Sequence, residues 1–318
     1  MDNVAHTLAG AALGEAGLRK LSGLAMTAAV ISANVADIDV FAVALGMNTL
    51  LRRGWTHGPL ALVILPVAVT AALVAWDRLQ HRRGRRPAAR PPVRAPQLLL
   101  ISLLAFLTHP FLDWVNTYGI RLLMPFSDRW FYGDSVFIID LWIWLALGAG
   151  VVISRRRRRK GNARPTVPAK VALSAVAVYT LAMLAGSWRT REAASAAMTE
   201  AEQRAPVSVM AGPVPLNSLR RQLIFDMGDH YRFGSAGLIP RLELSISGES
   251  LAKNLDHLAA QNLFTRRDVR EFLYWSRFPF VVVDSATGRT RELGDARFLT
   301  PRAGRNAFTV DLDSPDTR

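Results

Sequence analysis

The 318-residue chain contains no cysteine, which excludes a disulfide framework, a thiolate metal site and a cysteine nucleophile. It also lacks a basic segment ahead of its first apolar stretch, so no cleaved signal peptide is expected. Acidic side chains are few beside basic ones: 39 Lys and Arg against 25 Asp and Glu give a net charge of +14. Such an excess raises the question of nucleic acid. The basic residues, however, fall in short runs between apolar segments, without the amphipathic or aromatic setting of a recognition element. Half the chain is hydrophobic and its mean hydropathy is +0.17. Basic connections between apolar segments are the pattern of a membrane protein, and lipid, not nucleic acid, is the expected partner.

Six apolar stretches are candidate spans: residues 4–18, 21–45, 59–76, 97–116, 136–154 and 171–188. The connections around Arg19-Lys20, 78–94 and 155–170 carry most of the Lys and Arg, whereas the opposite connections carry only Arg52, Arg53, Arg121 and Arg129. Positive-inside bias places the three rich connections in the cytoplasm and gives six crossings with both ends outside. A re-entrant hairpin over 4–45 leaves the remaining topology unchanged. After Trp188 the pattern changes. Residues 189–206 read as a polar, Ala-rich linker helix. Beyond them, short β-like runs such as Gln222-Leu223-Ile224-Phe225, Leu242-Glu243-Leu244-Ser245-Ile246 and Phe280-Val281-Val282-Val283 are separated by turn signals at Gly228-Asp229 and Thr287-Gly288. Residues 254–261 and 266–275 read as helices. The fold class is therefore mainly α: a polytopic helical membrane bundle over 1–188 with a small α+β soluble domain over 207–313 and a tail at 314–318.

The stretch Thr108-His109-Pro110-Phe111-Leu112-Asp113 ends one apolar run with a histidine and a carboxylate four apart, on one helical face. Pro110 disfavours helical geometry at His109 and marks it as a candidate cap of a new helix. Ionisable groups inside a membrane segment are expensive and signal function. His6, Asp37, Asp39 and His57 are the available partners, and the topology sends all six toward the outer ends of their helices. His6, His57 and His109 with Asp37 and Asp113 offer more ligands than one tetrahedral ion needs. Either two ions bind, or one carboxylate acts as a supporting group or general base. Asp37 and Asp39 are the catalytic candidates. Two residues apart on a helix, they face different ways, and Asp37 is favoured as the ligand. Zn²⁺ suits imidazole and carboxylate, with Mn²⁺ or Fe²⁺ as alternatives. An ion with an open position lowers the pKa of its water and polarises an ester or phosphoryl oxygen. Arg53, Arg121 and Arg129 are candidates to hold a substrate phosphate, or to contact lipid head groups. Gly10, Gly14 and Gly17 are expected to permit close helix packing. His81, His230 and His257 read as surface residues.

Together, Asp2-Asn3-Val4-Ala5-His6-Thr7, Asp37-Ile38-Asp39, Arg53-Gly54-Trp55-Thr56-His57, His109-Pro110-Phe111-Leu112-Asp113 and Pro125-Phe126-Ser127-Asp128-Arg129 resemble the bacterial membrane-bound metal-dependent hydrolase family, in its longer members with a C-terminal soluble domain. The resemblance covers about the first half of the chain. It implies an inner-membrane location, a bound divalent metal and hydrolysis, with His6, Asp37, Asp39, His57, His109 and Asp113 as the matching positions. Two residues depart from the pattern: Ala36 stands where proline is common, and Gly58 where serine is common.

The expected activity is hydrolysis of a phosphoester or other ester, lipid-linked given the depth of the site, at the outer membrane face. A non-catalytic metal-binding scaffold or sensor is the alternative. An ion transporter fits less well, because the polar groups gather at one end and leave the cytoplasmic half of the helices apolar.

Overall fold

The computed structural model describes residues 1–45, 52–299 and 308–313, so the tail at 314–318 and part of the soluble domain, 300–307, lie outside the described residues. Among the described residues six α-helices come first. α1 (Asn3–Glu15) starts at Asp2, whose carboxylate accepts from the backbone N–H of Val4 and Ala5 at 2.9 and 3.1 Å, satisfying two donors the first turn leaves open. It ends before Gly17, at φ +141°. α2 (Ala25–Asn34) follows Leu24, at φ +60°, and continues as a 3₁₀ segment, Val35–Leu45. α3 (Pro59–Arg82), α4 (Ala95–Trp114), α5 (Leu141–Arg159) and α6 (Val167–Glu202) complete the set.

Small residues set the packing of the first pair. A Cβ on Gly10 would stand 2.5 Å from the Ala29 carbonyl oxygen and 3.0 Å from the Ala33 Cβ, so α1 and α2 approach at backbone distance. Gly14 instead leaves room for the Met26 side chain, whose Cε would stand 2.5 Å from a Cβ there, whereas Gly17 has open space around it and serves the turn. Ala25, Ala28, Ala29 and Ala33 of α2 then pack on Val69 and Leu73 of α3 and on Leu98, Ile101 and Ala105 of α4.

Polar contacts define the two ends of this bundle. At one end Glu15, buried at the close of α1, pairs with Arg155 and Arg158 of α5. There too the Ser22 hydroxyl accepts from Arg94 N at 2.9 Å, and Gly23 N donates to the Pro92 carbonyl at 3.0 Å. At the other end Trp144 of α5 donates to Asp2 at 3.1 Å, and Asp140 caps α5 while accepting from the Tyr179 hydroxyl of α6 at 2.9 Å. The basic connections thus gather at one end, opposite the end that carries His6, His57, His109 and Asp113.

Among the described residues three helices, α3, α4 and α6, are long and apolar enough to cross a membrane. The stretch 4–45, expected as two spans, is broken by the positive-φ residues Gly17 and Leu24, and the 13 residues of α1 cover only about 20 Å of a ~30 Å hydrocarbon layer. The arginines of α5 lie in its last turn, where cations complement the helix dipole. Pro110 does not start a new helix. α4 runs through it to Trp114, and His109 is an interior residue. The connection 83–94, which reads as a plain linker in sequence, is tied to α3 by Arg86 and Arg90, at 3.1 and 3.0 Å from Asp77.

The chain divides into two compact units, and the boundary falls within α6 after Ala185. In the second unit the last turns of α6 join a four-stranded antiparallel sheet in the order β1 (Ser208–Val214), β2 (Asn217–Asp226), β3 (His230–Gly237), β4 (Glu243–Ala252). Ala194 and Met198 pack on Leu223, Phe225 and Met227, so the stretch expected as a linker carries part of this core. A second antiparallel sheet, β5 (Pro279–Val283), β6 (Thr290–Asp295) and β7 (Thr309–Asp311), accompanies the short helices α7 (Asp256–Ala260) and α8 (Arg267–Trp275). A helical membrane bundle followed by an α+β domain is the class expected from the sequence.

Candidate metal centre

The sequence-predicted ligands come from four elements that end together: the start of α1, the exit of α2, the loop entering α3, and the last turns of α4. His109 lies one turn before Asp113 on α4, and both are fully buried. The His109 Nδ1 is 2.7 Å from the Ala33 carbonyl oxygen at the end of α2. A carbonyl only accepts, so Nδ1 carries the proton and Nε2 of the neutral ring presents a bare lone pair.

His57 reaches the same state by a longer relay. Its Nδ1 lies 2.9 Å from the Thr56 hydroxyl, which donates to Asp39 Oδ2 at 3.3 Å. With the hydroxyl proton directed to Asp39, the ring nitrogen donates and His57 Nε2 is left bare. Asp39 Oδ2 also accepts from Arg53 N at 2.6 Å, fixing the loop that carries His57. Asp39 is therefore turned toward the loop, while Asp37, at the α-to-3₁₀ transition, turns toward the histidines.

His57 Nε2 and His109 Nε2 stand 3.1 Å apart. Asp113 Oδ2 lies 3.3 Å from the first and 3.5 Å from the second, and Asp37 Oδ1 lies 3.7 Å from His109 Nε2. One ligand atom from each of Asp37, His57, His109 and Asp113 falls within 4.8 Å of every other. Two nitrogens bound at ~2.0 Å to one tetrahedral ion stand about 3.3 Å apart. The nitrogen pair matches that spacing. Two buried lone pairs facing each other are unfavourable unless a cation or a proton lies between them. Asp113 Oδ2 and Asp37 Oδ2 are buried without a hydrogen-bond partner, as are both ring nitrogens of His6. Nitrogen and carboxylate donors with unused lone pairs are the donor set of Zn²⁺, Mn²⁺ or Fe²⁺, and the residues fit such an ion.

His6 lies beside this group of four. Its ring stacks on His109 with centroids 3.7 Å apart, and its Nε2 is 3.4 Å from Asp113 Oδ1. That second oxygen of Asp113 also contacts the Met1 amino group and lies 3.1 Å from Arg53 Nη2. Arg53, with φ +52°, donates as well to Asn116 Oδ1 and the Gly119 carbonyl, and its guanidinium lies over the Tyr118 ring at 4.5 Å. Of the other two expected arginines, Arg121 is fully buried, donates to the Arg52 carbonyl at 2.9 Å and stacks on Trp130. Gly54 makes room for it, since a Cβ there would stand 2.8 Å from its Cζ. Arg129 is exposed, over Phe131. His81 is exposed, and His230 and His257 are partly so.

The sequence pattern assigned no role to Thr56 or Asn116. Thr56 adjoins His57, and Asn116 follows Asp113 by three residues, just past the end of α4, so each carried a local signal. Gly58, the departure from serine, is explained by packing: a Cβ there would collide with the Met124 carbonyl. At the other departure, Ala36 is fully buried against Ala61 and Phe106, and the turn into the 3₁₀ segment forms without proline.

Comparison with known proteins places this geometry in a lineage. The family model described as YdjM inner membrane protein matches residues 1–190, which contain every residue of the centre. The chain is similar to the uncharacterized protein YfhP of Bacillus subtilis (strain 168), at 29% identity over 165 residues, covering 48% of this chain and 46% of that protein. The chain thus matches about half the length of this curated relative. No solved structure matches. With three helices of membrane-spanning length and a cluster suited to metal binding at one end of the bundle, the chain belongs to the YdjM family of inner-membrane proteins.

Proposed function

We propose that this protein is a membrane-bound, metal-dependent hydrolase acting on a phosphoester or other ester, lipid-linked, at the outer face of the membrane. The observation that carries the reading is the pair of bare imidazole nitrogens, 3.1 Å apart and flanked by unpartnered carboxylate oxygens of Asp37 and Asp113. Asp37, His57, His109 and Asp113 would hold the ion, with Zn²⁺ favoured by the two imidazoles. Such an ion supplies Lewis acidity, which activates water and polarises the ester or phosphoryl group.

The chain's own residues do the rest. Ala33 O and the Thr56–Asp39 relay keep the imidazole protons on Nδ1, so that both Nε2 atoms remain ligands. Asp37, with one buried oxygen unpartnered, accepts the proton from the attacking water; Asp39 orients His57. Arg53 balances the charge of Asp113 and presents a cation beside the site for an anionic substrate oxygen. Lipid-linked substrates are favoured because the ligands sit at the ends of membrane helices. The outer face follows from positive-inside bias applied to the basic end of the bundle.

Purified protein in mild detergent is expected to hydrolyse aryl phosphate, aryl ester or phospholipid probes only with divalent metal present. His109→Ala should retain the fold and lose turnover by at least about 10³-fold, the scale of losing water activation. A fully active His109→Ala protein rules the mechanism out. Stoichiometric metal with no turnover on any of the three probe classes would favour the metal-binding scaffold instead.

A further inference from the structure

The basic end of the bundle carries a feature that the hydrolytic reading does not use. Here α3 and α4 leave between them a groove of about 530 Å³. Ala71, Val74, Ala75 and Arg78 line it from α3, and Pro96 and Leu99 from α4. The small side chains of Ala71 and Ala75 open the space. Thr70, also in the lining, donates to Ser102 at 3.2 Å, so the polar groups at this depth satisfy each other and leave the lining apolar. Both helices are long and apolar enough to cross a membrane, so a slot on their surface opens to lipid.

One charge stands in the lining. Arg78 is exposed, four residues from the end of α3, where a long basic side chain reaches the head-group layer while its stem lies along apolar surface. The adjacent acid does not neutralise it, because Asp77 is engaged by Arg86 and Arg90 at 3.1 and 3.0 Å. Among the described residues Arg78 has no ion-pair or hydrogen-bond partner. Arg82, Arg83 and Arg85 extend the positive field beyond it.

A slot that is apolar along its length and cationic at its mouth matches one chemistry, an acyl chain ending in a phosphate. We infer that this groove is a binding site for an anionic phospholipid, with an acyl chain between α3 and α4 and its phosphate on Arg78. Arg78 lies about 28 Å along α3 from its start near His57, and Val67, the lining residue nearest that start, about 12 Å, so the phosphate position stands apart from the metal centre.

The test reconstitutes the full chain with vesicles of equimolar phosphatidylglycerol and phosphatidylcholine bearing identical acyl chains, then identifies the lipids retained in mild detergent by mass spectrometry of the intact protein. Wild type is expected to retain phosphatidylglycerol about fivefold over phosphatidylcholine, the ratio for one basic contact. Arg78→Gln should abolish that preference. Ala75→Phe, which fills the slot, should lower retention of both lipids. Arg82→Gln removes an equal charge one turn further on and should keep the wild-type ratio. Equal retention of the two lipids by wild type overturns the inference. So does an Arg82→Gln loss as large as that of Arg78→Gln, which would reveal only a diffuse field, or unchanged retention in Ala75→Phe.

Discussion

Asp39 illustrates how a residue one step from the ion-facing atoms controls them. Its carboxylate holds both Arg53 N and the Thr56 hydroxyl that fixes the proton on His57. Asp39→Asn keeps the shape and removes the charged acceptor, and is expected to weaken ion affinity by about 10- to 100-fold while leaving stoichiometry unchanged at saturation. Titration against a chelator of known affinity checks this, and a variant that cannot be saturated would make Asp39 a ligand. A different buried carboxylate, Asp295 at the end of β6, contributes to the acid sensitivity of the second unit. Burial pushes its pKa up, but Arg297 at 2.9 Å, the Ser276 hydroxyl and backbone donors outweigh that and hold it below the ordinary 3.8. Because the folded value is depressed, the stability it contributes is complete above 3.8 and is lost as pH falls through the lowered value. Asp295→Ala, which strands the buried Arg297, is expected to cost about 3–5 kcal/mol at neutral pH, read as thermal unfolding of the full chain. The ligand types were legible in the sequence, since imidazoles and carboxylates in apolar segments stand out by their cost. Helical geometry already favoured Asp37 over Asp39, but the contacts that separate the two carboxylates, and the coupling of Arg53 to Asp113, were not legible. They depend on a 3₁₀ transition and a folded loop that only tertiary contacts define.

The α1–α2 pair is the element on which the centre depends, because it delivers His6, the Ala33 carbonyl and Asp37 together. Its close approach rests on Gly10, and Gly10→Val is expected to destabilise the bundle by about 1–3 kcal/mol and to reduce bound metal. Gly148→Ala on α5, where a Cβ meets nothing within 4 Å, is the matched control and should be neutral or slightly stabilising. Thermal unfolding and metal content of the two variants separate the cases; equal behaviour would show that the small-residue contact is not what sets the site. The apolar pattern of 4–45 gave the helical class of this element and the turn around Arg19-Lys20, but not the left-handed backbone at Leu24, which an apolar residue conceals and packing imposes. In the second unit the runs at 222–225 and 280–283 were legible as strands. By contrast β3, His-Tyr-Arg-Phe-Gly-Ser-Ala-Gly, lacks a clean alternation and is held by its ladder to β2 and β4.

At the scale of the whole molecule, basic charge and metal-ligand side chains separate to opposite ends of the bundle. Basic connections at one end and ligands at the other are the ground for the proposal that the centre faces outward, by positive-inside bias. The absence of cysteine makes this measurable without background. Arg85→Cys should be shielded from a membrane-impermeant maleimide in intact cells, and Phe126→Cys should be labelled; the reverse pattern would invert the orientation and move the substrate to the cytoplasmic leaflet. The measurement closest to the central claim is the divalent metal content of the purified wild-type chain beside His57→Ala and His109→Ala, prepared without chelator. The account predicts at least one tightly held cation per wild-type chain and its loss from both variants with the helical content unchanged. Wild-type protein that binds no divalent cation, or histidine variants that hold as much as wild type, would contradict it.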